Sequence, residues 1–112
     1  MILVVGRIVV QEDRLDDALA SSLEHVERSR AESGCISHDV HQDVENPRRI
    51  VFVERWTDSA ALARHFAVPA SGAFVRTIAA LAAETPSIAI YEASELPAPD
   101  LGAGNGQASS PW

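Results

Sequence analysis

Hydrophobic and polar positions alternate along this chain with two different periods. Ile2 to Val10 is apolar and β-branched in both registers of a strand. Val4, Gly6, Ile8 and Val10 fall on one face and Leu3, Val5, Arg7 and Val9 on the other. A strand apolar on both faces is expected to be covered on both. That would leave Arg7 nearly buried and in need of a carboxylate or carbonyl partner. From Gln11 to Ser33 the period becomes helical. Leu15, Ala18, Leu19, Ser22, Leu23 and Val26 make one apolar stripe, Asp13 is placed to cap the start, and Asp16 and Asp17 suit the first turn. Asp17, Glu24, Glu27, Arg28 and Arg30 form a solvated opposite face, and Gly34 is placed to end the helix in a left-handed conformation.

Period two returns in Cys35 to Asp43. Ile36, His38, Val40 and Gln42 share one face; Cys35, Ser37, Asp39, His41 and Asp43 share the other. Glu45-Asn46-Pro47 is a turn signature. Ile50 to Thr57 then reads as a third strand, with Ile50, Phe52, Glu54 and Trp56 on one side and Val51, Val53 and Arg55 on the other. The two strands are expected to pair as an antiparallel hairpin, which puts His38 on the same face as Glu54. Asp58 caps a helix over Ser59 to Val68, with Leu62 and Phe66 inward and His65 beside them. Pro69 interrupts it. A further helical run, Ala70 to Ala83, buries Phe74, Ile78 and Leu81; Thr85-Pro86 ends it, and Ser87 to Ala93 is a fourth strand. Glu95 to Trp112 is rich in Gly, Pro, Ser and Ala without periodicity and reads as a flexible tail. The expected organisation is one domain over residues 1–94 and a tail over 95–112.

The element order βαββαβ predicts two split βαβ units: an α+β, ferredoxin-like fold with a four-stranded antiparallel sheet and helices on one face. The other face carries Leu3, Val5 and Val9 and needs a cover. A second copy of the same sheet supplies one, so the chain is expected to be a homodimer.

Composition narrows the function classes. The 112 residues carry a net charge of −7, and no basic stripe offers itself to nucleic acid. All 9 basic residues are Arg, which excludes a Schiff-base lysine. The single cysteine, Cys35, excludes an intrachain disulfide and a multi-cysteine metal site. The opening MILVVGRIVVQED lacks a basic leader and a small-residue cleavage site and is too short to span a bilayer. It is read as a strand, with a cytoplasmic location and no membrane partner expected.

Glu32-Ser-Gly-Cys-Ile-Ser-His-Asp-Val, the Asn46-Pro47 turn, Phe52-Val-Glu-Arg-Trp56 and Asp58-Ser-Ala-Ala-Leu-Ala-Arg-His65 occur in that order. Together they resemble the antibiotic biosynthesis monooxygenase (ABM) family, which includes quinol monooxygenases, over about residues 1–94. The resemblance implies a dimeric α+β barrel that oxidises polyketide anthrones or hydroquinones with O2, without metal or flavin. His65 matches the family's helix histidine and is the expected base or hydrogen-bond donor to a phenolic oxygen. His38, where the family more often has Tyr, and Glu54 are the expected secondary catalytic groups. Trp56, Phe66 and Phe74 form the expected aromatic wall for the substrate. A haem-degrading branch carries an Asn, a Trp and a haem-ligating His at positions that read here as Gly6, His65 and approximately Val75, so the resemblance does not extend to haem chemistry. His38, His41 and His65 show no second-shell pattern, and no metal site is expected. Two other readings stand beside the monooxygenase. One is a non-catalytic dimeric ligand-binding module in which Glu54 neutralises Arg7. The other is an isomerase of a small carbonyl compound, with Arg55 and Arg64 as candidate anion-binding groups.

Overall fold

The computed structural model describes residues 1–99. Its sheet is built from β1 (Ile2–Val9), β2 (Cys35–Gln42), β3 (Arg49–Trp56) and β4 (Ser87–Glu92), in the spatial order β2-β3-β1-β4. Every neighbouring pair is antiparallel. Between the strands lie a 3-10 turn (Glu12–Arg14), α1 (Leu15–Arg30), α2 (Ser59–Ala67) and α3 (Pro69–Leu81). This is the α+β, ferredoxin-like arrangement that the element order implies.

All three helices cover one sheet face. Ile8, Val10, Ile50 and Phe52 pack against Ala18 and Val26 of α1 and Ile78 of α3. Ile2, Val4 and Trp56 pack against Ala61 and Leu62 of α2. The helix-bearing face therefore holds two separate apolar clusters. On β3 the residue between them is Glu54, with Phe52 on one side and Trp56 on the other.

Several local expectations are corrected. The first helix begins at Leu15, because Arg14 N–H donates to the Gln11 carbonyl and closes a 3-10 turn that absorbs Asp13; no side chain caps α1. Its buried line is Ala18, Ser22, His25, Val26 and Ser29, and Leu23 is exposed. Polar residues at the core positions hid the true phase of the stripe. Gly34 has the left-handed backbone expected of it (φ +84°), but it lies in the turn entering β2, beyond the last helical residue Arg30. A β-bulge between Cys35 and Ser37 inserts one residue into β2. It turns Ile36 out to solvent and brings Cys35 against the Trp56 cluster, reversing the faces expected for those two residues. Arg7 is exposed, since nothing among the described residues covers its face, and it pairs with Val51 across the sheet on the side opposite Glu54. Glu54 therefore does not neutralise Arg7. The break expected at Pro69 is present, α2 ending at Ala67, and Pro69 itself opens α3: at the first helical position its missing N–H breaks no bond.

Asp58 caps α2 as expected, its carboxylate accepting from Ala61 N–H at 2.8 Å. Residues 95–99 carry no regular structure and are exposed. The rest of the expected tail, residues 100–112, lies outside the described residues.

Candidate functional site

The space between the two apolar clusters is filled by polar side chains from four elements. The hairpin register sets His38 of β2 directly opposite Glu54 of β3. α1 contributes His25, on the same helical line as Ala18, Ser22 and Ser29. α2 contributes His65, at its last turn. All four are buried, and His38 is 0 % exposed. Such groups are tolerated in an interior only where they have partners.

His65 has one. Its Nδ1 lies 3.0 and 3.2 Å from the two carboxylate oxygens of Glu32, in the turn after α1. Nδ1–H donates to that carboxylate, which leaves the Nε2 lone pair of the neutral ring free. Nε2 looks toward Glu54, whose Oε1 is 3.9 Å away. Glu54 Oε1 also accepts from Trp56 Nε1–H at 3.0 Å and lies 3.2 Å from His38 Nε2. Burial alone would raise the Glu54 carboxyl. The His38 ring, the Trp56 N–H and the nearby His65 outweigh it and hold the carboxyl below the usual carboxylate range.

His38 is different. Its Nε2 pairs with Glu54 Oε1 at 3.2 Å but off good hydrogen-bond alignment, and among the described residues its Nδ1 has no partner. Its backbone is pinned instead: Arg30 Nε donates to the His38 carbonyl at 3.0 Å, and Arg30 Nη2 reaches Asp39 at 3.0 Å. Arg30 was read as part of a solvated face; it ties the end of α1 to β2.

His25 lies flat against Phe74 of α3, with ring centroids 4.0 Å apart and planes 5° from parallel. Arg28 Nη2 donates to its Nδ1 at 2.8 Å. Burial, then the His38 and His65 rings and the Arg28 guanidinium, push its pKa down to about 3, so His25 is neutral at any working pH. The ring centroids of His25, His38 and His65 are 5.2, 5.3 and 5.5 Å apart, and each ring offers a nitrogen within 4.8 Å of the others.

A pocket of about 250 Å³ opens beside this cluster. His25, Glu54 and His65 form its polar end; Phe52, Phe66, Phe74 and Ile78 supply apolar wall; Gly6 and Ile88 of β1 and β4 close the opposite side. A Cβ on Gly6 would meet Phe52 and the Ser87 carbonyl at 3.7–3.9 Å, ordinary contacts, so packing does not require a glycine there and its missing side chain widens the pocket.

The structure thus brings His65 and Glu54 to the pocket and sets Phe66 and Phe74 on its wall. It places His38 behind them, in contact with Glu54. Trp56 does not line the pocket. It is fully buried in the α2 cluster because its indole N–H turns inward to Glu54, which corrects the expectation of a stacking wall. Arg55 and Arg64 do not converge: Arg55 donates to Ser37 Oγ at 2.8 Å from the hairpin, and Arg64 is exposed on α2. Neither lines the pocket, so the anion site expected of them does not form there. His41 is exposed on β2. Sequence reasoning missed His25 and the role of Glu32. The spacing of Ala18, Ser22, His25 and Ser29, one residue per turn, is the signal that could have found the first.

The family description "Antibiotic biosynthesis monooxygenase" matches residues 1–77. The chain belongs to that family. It is 36% identical over 94 residues to the uncharacterized protein sll1783 of Synechocystis, a match spanning 84% of this chain and 64% of that relative's length. It is 31% identical over 65 residues to the Bacillus subtilis protein named "Putative monooxygenase YcnE", spanning 58% of this chain and 68% of YcnE. A crystal structure of an antibiotic biosynthesis monooxygenase superposes with a TM-score of 0.79 at 28% identity, covering 85% of this chain and all of that one. No helix among the described residues is long and apolar enough to cross a membrane.

Proposed function

We propose that this ABM protein oxidises a small planar phenol or quinol with O2 in the pocket beside His65. The observation that carries the reading is the Glu32–His65 pair at the pocket's polar end. A carboxylate that holds Nδ1–H fixes the ring and its tautomer and leaves Nε2 to take a proton from substrate. Deprotonation makes an electron-rich ring far easier to oxidise, and its anion passes an electron to O2. For a hydroquinone, recombination at a ring C–H gives a hydroperoxide that loses water, so that quinol and O2 become a hydroxyquinone and H2O. The electrons come from the substrate. The protein supplies a base, a flat apolar slot and exclusion of water. At about 250 Å³ the pocket is below the ~300–1,000 Å³ that holds drug-sized ligands. That size favours one or two fused rings over a three-ring anthrone.

A homodimer belongs to the same proposal. Leu3, Val5, Val9, Val51 and Val53 make the sheet face away from the helices apolar, and among the described residues no element covers it. A second sheet laid on that face would bury it.

The test is O2 consumption with a panel of naphthohydroquinones and substituted phenols, beside the His65→Ala and Glu32→Gln variants. Enzyme-dependent uptake that His65→Ala abolishes and Glu32→Gln lowers is expected. Uptake unchanged in His65→Ala would remove the base from the mechanism, and no uptake across the panel would overturn the reading.

A further inference from the structure

We infer that His25, His38 and His65, with Glu54 as fourth donor, form a binding site for a divalent first-row transition ion of the Zn2+ type. The inference rests on donor geometry; an ion bound to His65 Nε2 occupies the lone pair that the proposed oxidation uses, so the loaded site and the proton-abstracting site are alternative states of the same residues.

The first observation is the triangle of rings. In a tetrahedral site with metal–nitrogen bonds of about 2.05 Å, each imidazole centroid lies about 3.2 Å from the ion, and the centroids are about 5.2 Å apart. The three rings here stand 5.2, 5.3 and 5.5 Å apart. The same edge falls within the about 4.5–7 Å of ordinary ring packing, so the triangle fits a tetrahedral site without by itself requiring one.

The second is the fourth corner. A nitrogen–oxygen edge of the same tetrahedron is about 3.3 Å long. Glu54 Oε1 is 3.2 Å from His38 Nε2 and 3.9 Å from His65 Nε2. Two donors on one ion aim their lone pairs at the ion and not at each other. A close approach without hydrogen-bond geometry, as between His38 and Glu54, has that character.

The third is the buried His38 ring. His38 is 0 % exposed; its Nε2 lies 3.2 Å from Glu54 Oε1 and, among the described residues, its Nδ1 has no hydrogen-bond partner. An ion between Nε2 and Oε1 would be shared by both. The supporting shell is also present. Glu32 holds His65 Nδ1–H, the carboxylate–histidine pairing that orients metal ligands, and Trp56 N–H fixes the Glu54 carboxylate. Three imidazoles and one carboxylate suit Zn2+ and its neighbours and not the hard, oxygen-seeking Ca2+ or Mg2+. The donor nitrogens must close from their present spread of up to 4.8 Å, and His25 must turn from the Arg28 donor that now occupies its Nδ1. Sequence reasoning had set a metal aside by counting His41, which points away; His25 takes its place.

Untagged protein, stripped with chelator and titrated with Co2+, tests this directly. One equivalent per chain giving the intense visible absorption of four-coordinate Co2+, displaced by Zn2+, is expected. Equilibrium dialysis with Zn2+ should show at least tenfold weaker binding in His25→Gln, His38→Gln and His65→Gln and unchanged binding in His41→Gln, with folding checked by circular dichroism. No Co2+ absorption in the unmodified chain overturns the site whatever the variants do. Binding that survives His38→Gln or is lost in His41→Gln overturns it equally, by placing the ion on the surface. None of these readouts involves turnover, so the site stands or falls apart from the oxidation.

Discussion

Gly34→Ala is the substitution whose consequences the structure specifies most closely. A Cβ at this position would lie 2.5 Å from the Ala61 Cβ and 2.8 Å from Thr57 Oγ1, on a backbone with φ of +84°. Two separable penalties follow. The left-handed conformation disfavours a side chain by about 1–2 kcal/mol. The overlap with Ala61 forces α2 away from the turn, an overpacking penalty of about 1–3 kcal/mol. Together they amount to about 2–5 kcal/mol, a large part of the ~5–15 kcal/mol available to a domain of this kind. Urea unfolding followed by circular dichroism reads the loss; with a slope of about 1–3 kcal/mol per molar, the midpoint should fall by about 1 M or more. Ala61→Gly removes the methyl at 2.5 Å and so relieves the overlap without touching the backbone strain. The double variant should therefore recover about 1–2 kcal/mol beyond additivity, the signature of a direct steric clash. The displacement also has a functional reading, because the same turn carries Glu32 and the same helix carries His65. A Gly34→Ala protein within about 0.5 kcal/mol of the parent, or one that Ala61→Gly leaves unrescued, would refute this account of the turn.

Glu32→Gln keeps the shape of the side chain but no longer fixes the His65 tautomer; kcat should fall about 10–100-fold with KM little changed in steady-state O2 uptake. Gly6→Leu should fold, since its Cβ meets only ordinary contacts, yet fill the pocket; loss of substrate binding with a preserved unfolding midpoint checks it. His25 is buried in its neutral form with a pKa lowered to about 3. The unfolded chain takes up that proton first as pH falls below about 6.5, so chelator-treated protein is fully stable above that pH and loses up to about 1.4 kcal/mol per unit on the way down. Urea midpoints at pH 7, 6, 5 and 4 should show a shallower decline in His25→Gln.

Much of the fold was legible because its local signals agree. β3 alternates strictly between buried and half-buried positions, Asp58 caps α2 with its own carboxylate, and the Asn46-Pro47 turn fixes the hairpin register that sets His38 against Glu54. The errors arose where tertiary packing reversed a local reading. An apolar Leu23 was assigned to the core and a polar His25 was not, because the helix turns a polar stripe toward a polar layer. Ile36 was placed inward by alternation, and the bulge beside it shifted the phase by one residue. Trp56 was given a ligand-facing role by residue type alone, although the indole N–H had a carboxylate two residues away on the same strand face.

The site was half legible for a related reason. A strand shows its face in the sequence, so His38 and Glu54 could be paired by counting; a helix shows its face only through apolar residues, and α1 carries few of them opposite the cluster. What the structure adds is that four buried ionisable side chains, from two helices and two strands, separate two apolar clusters that would otherwise be continuous. An apolar layer of equal volume is often as stable or more so, and His38 leaves its Nδ1 without a partner among the described residues. Structural pairing accounts for Glu32 with His65 and for Trp56 with Glu54. It accounts for His38 through Glu54 but not for the convergence of His25, His38 and His65. That convergence points to something held at the polar end of the pocket, a substrate hydroxyl on the free His65 Nε2 or an ion in its place.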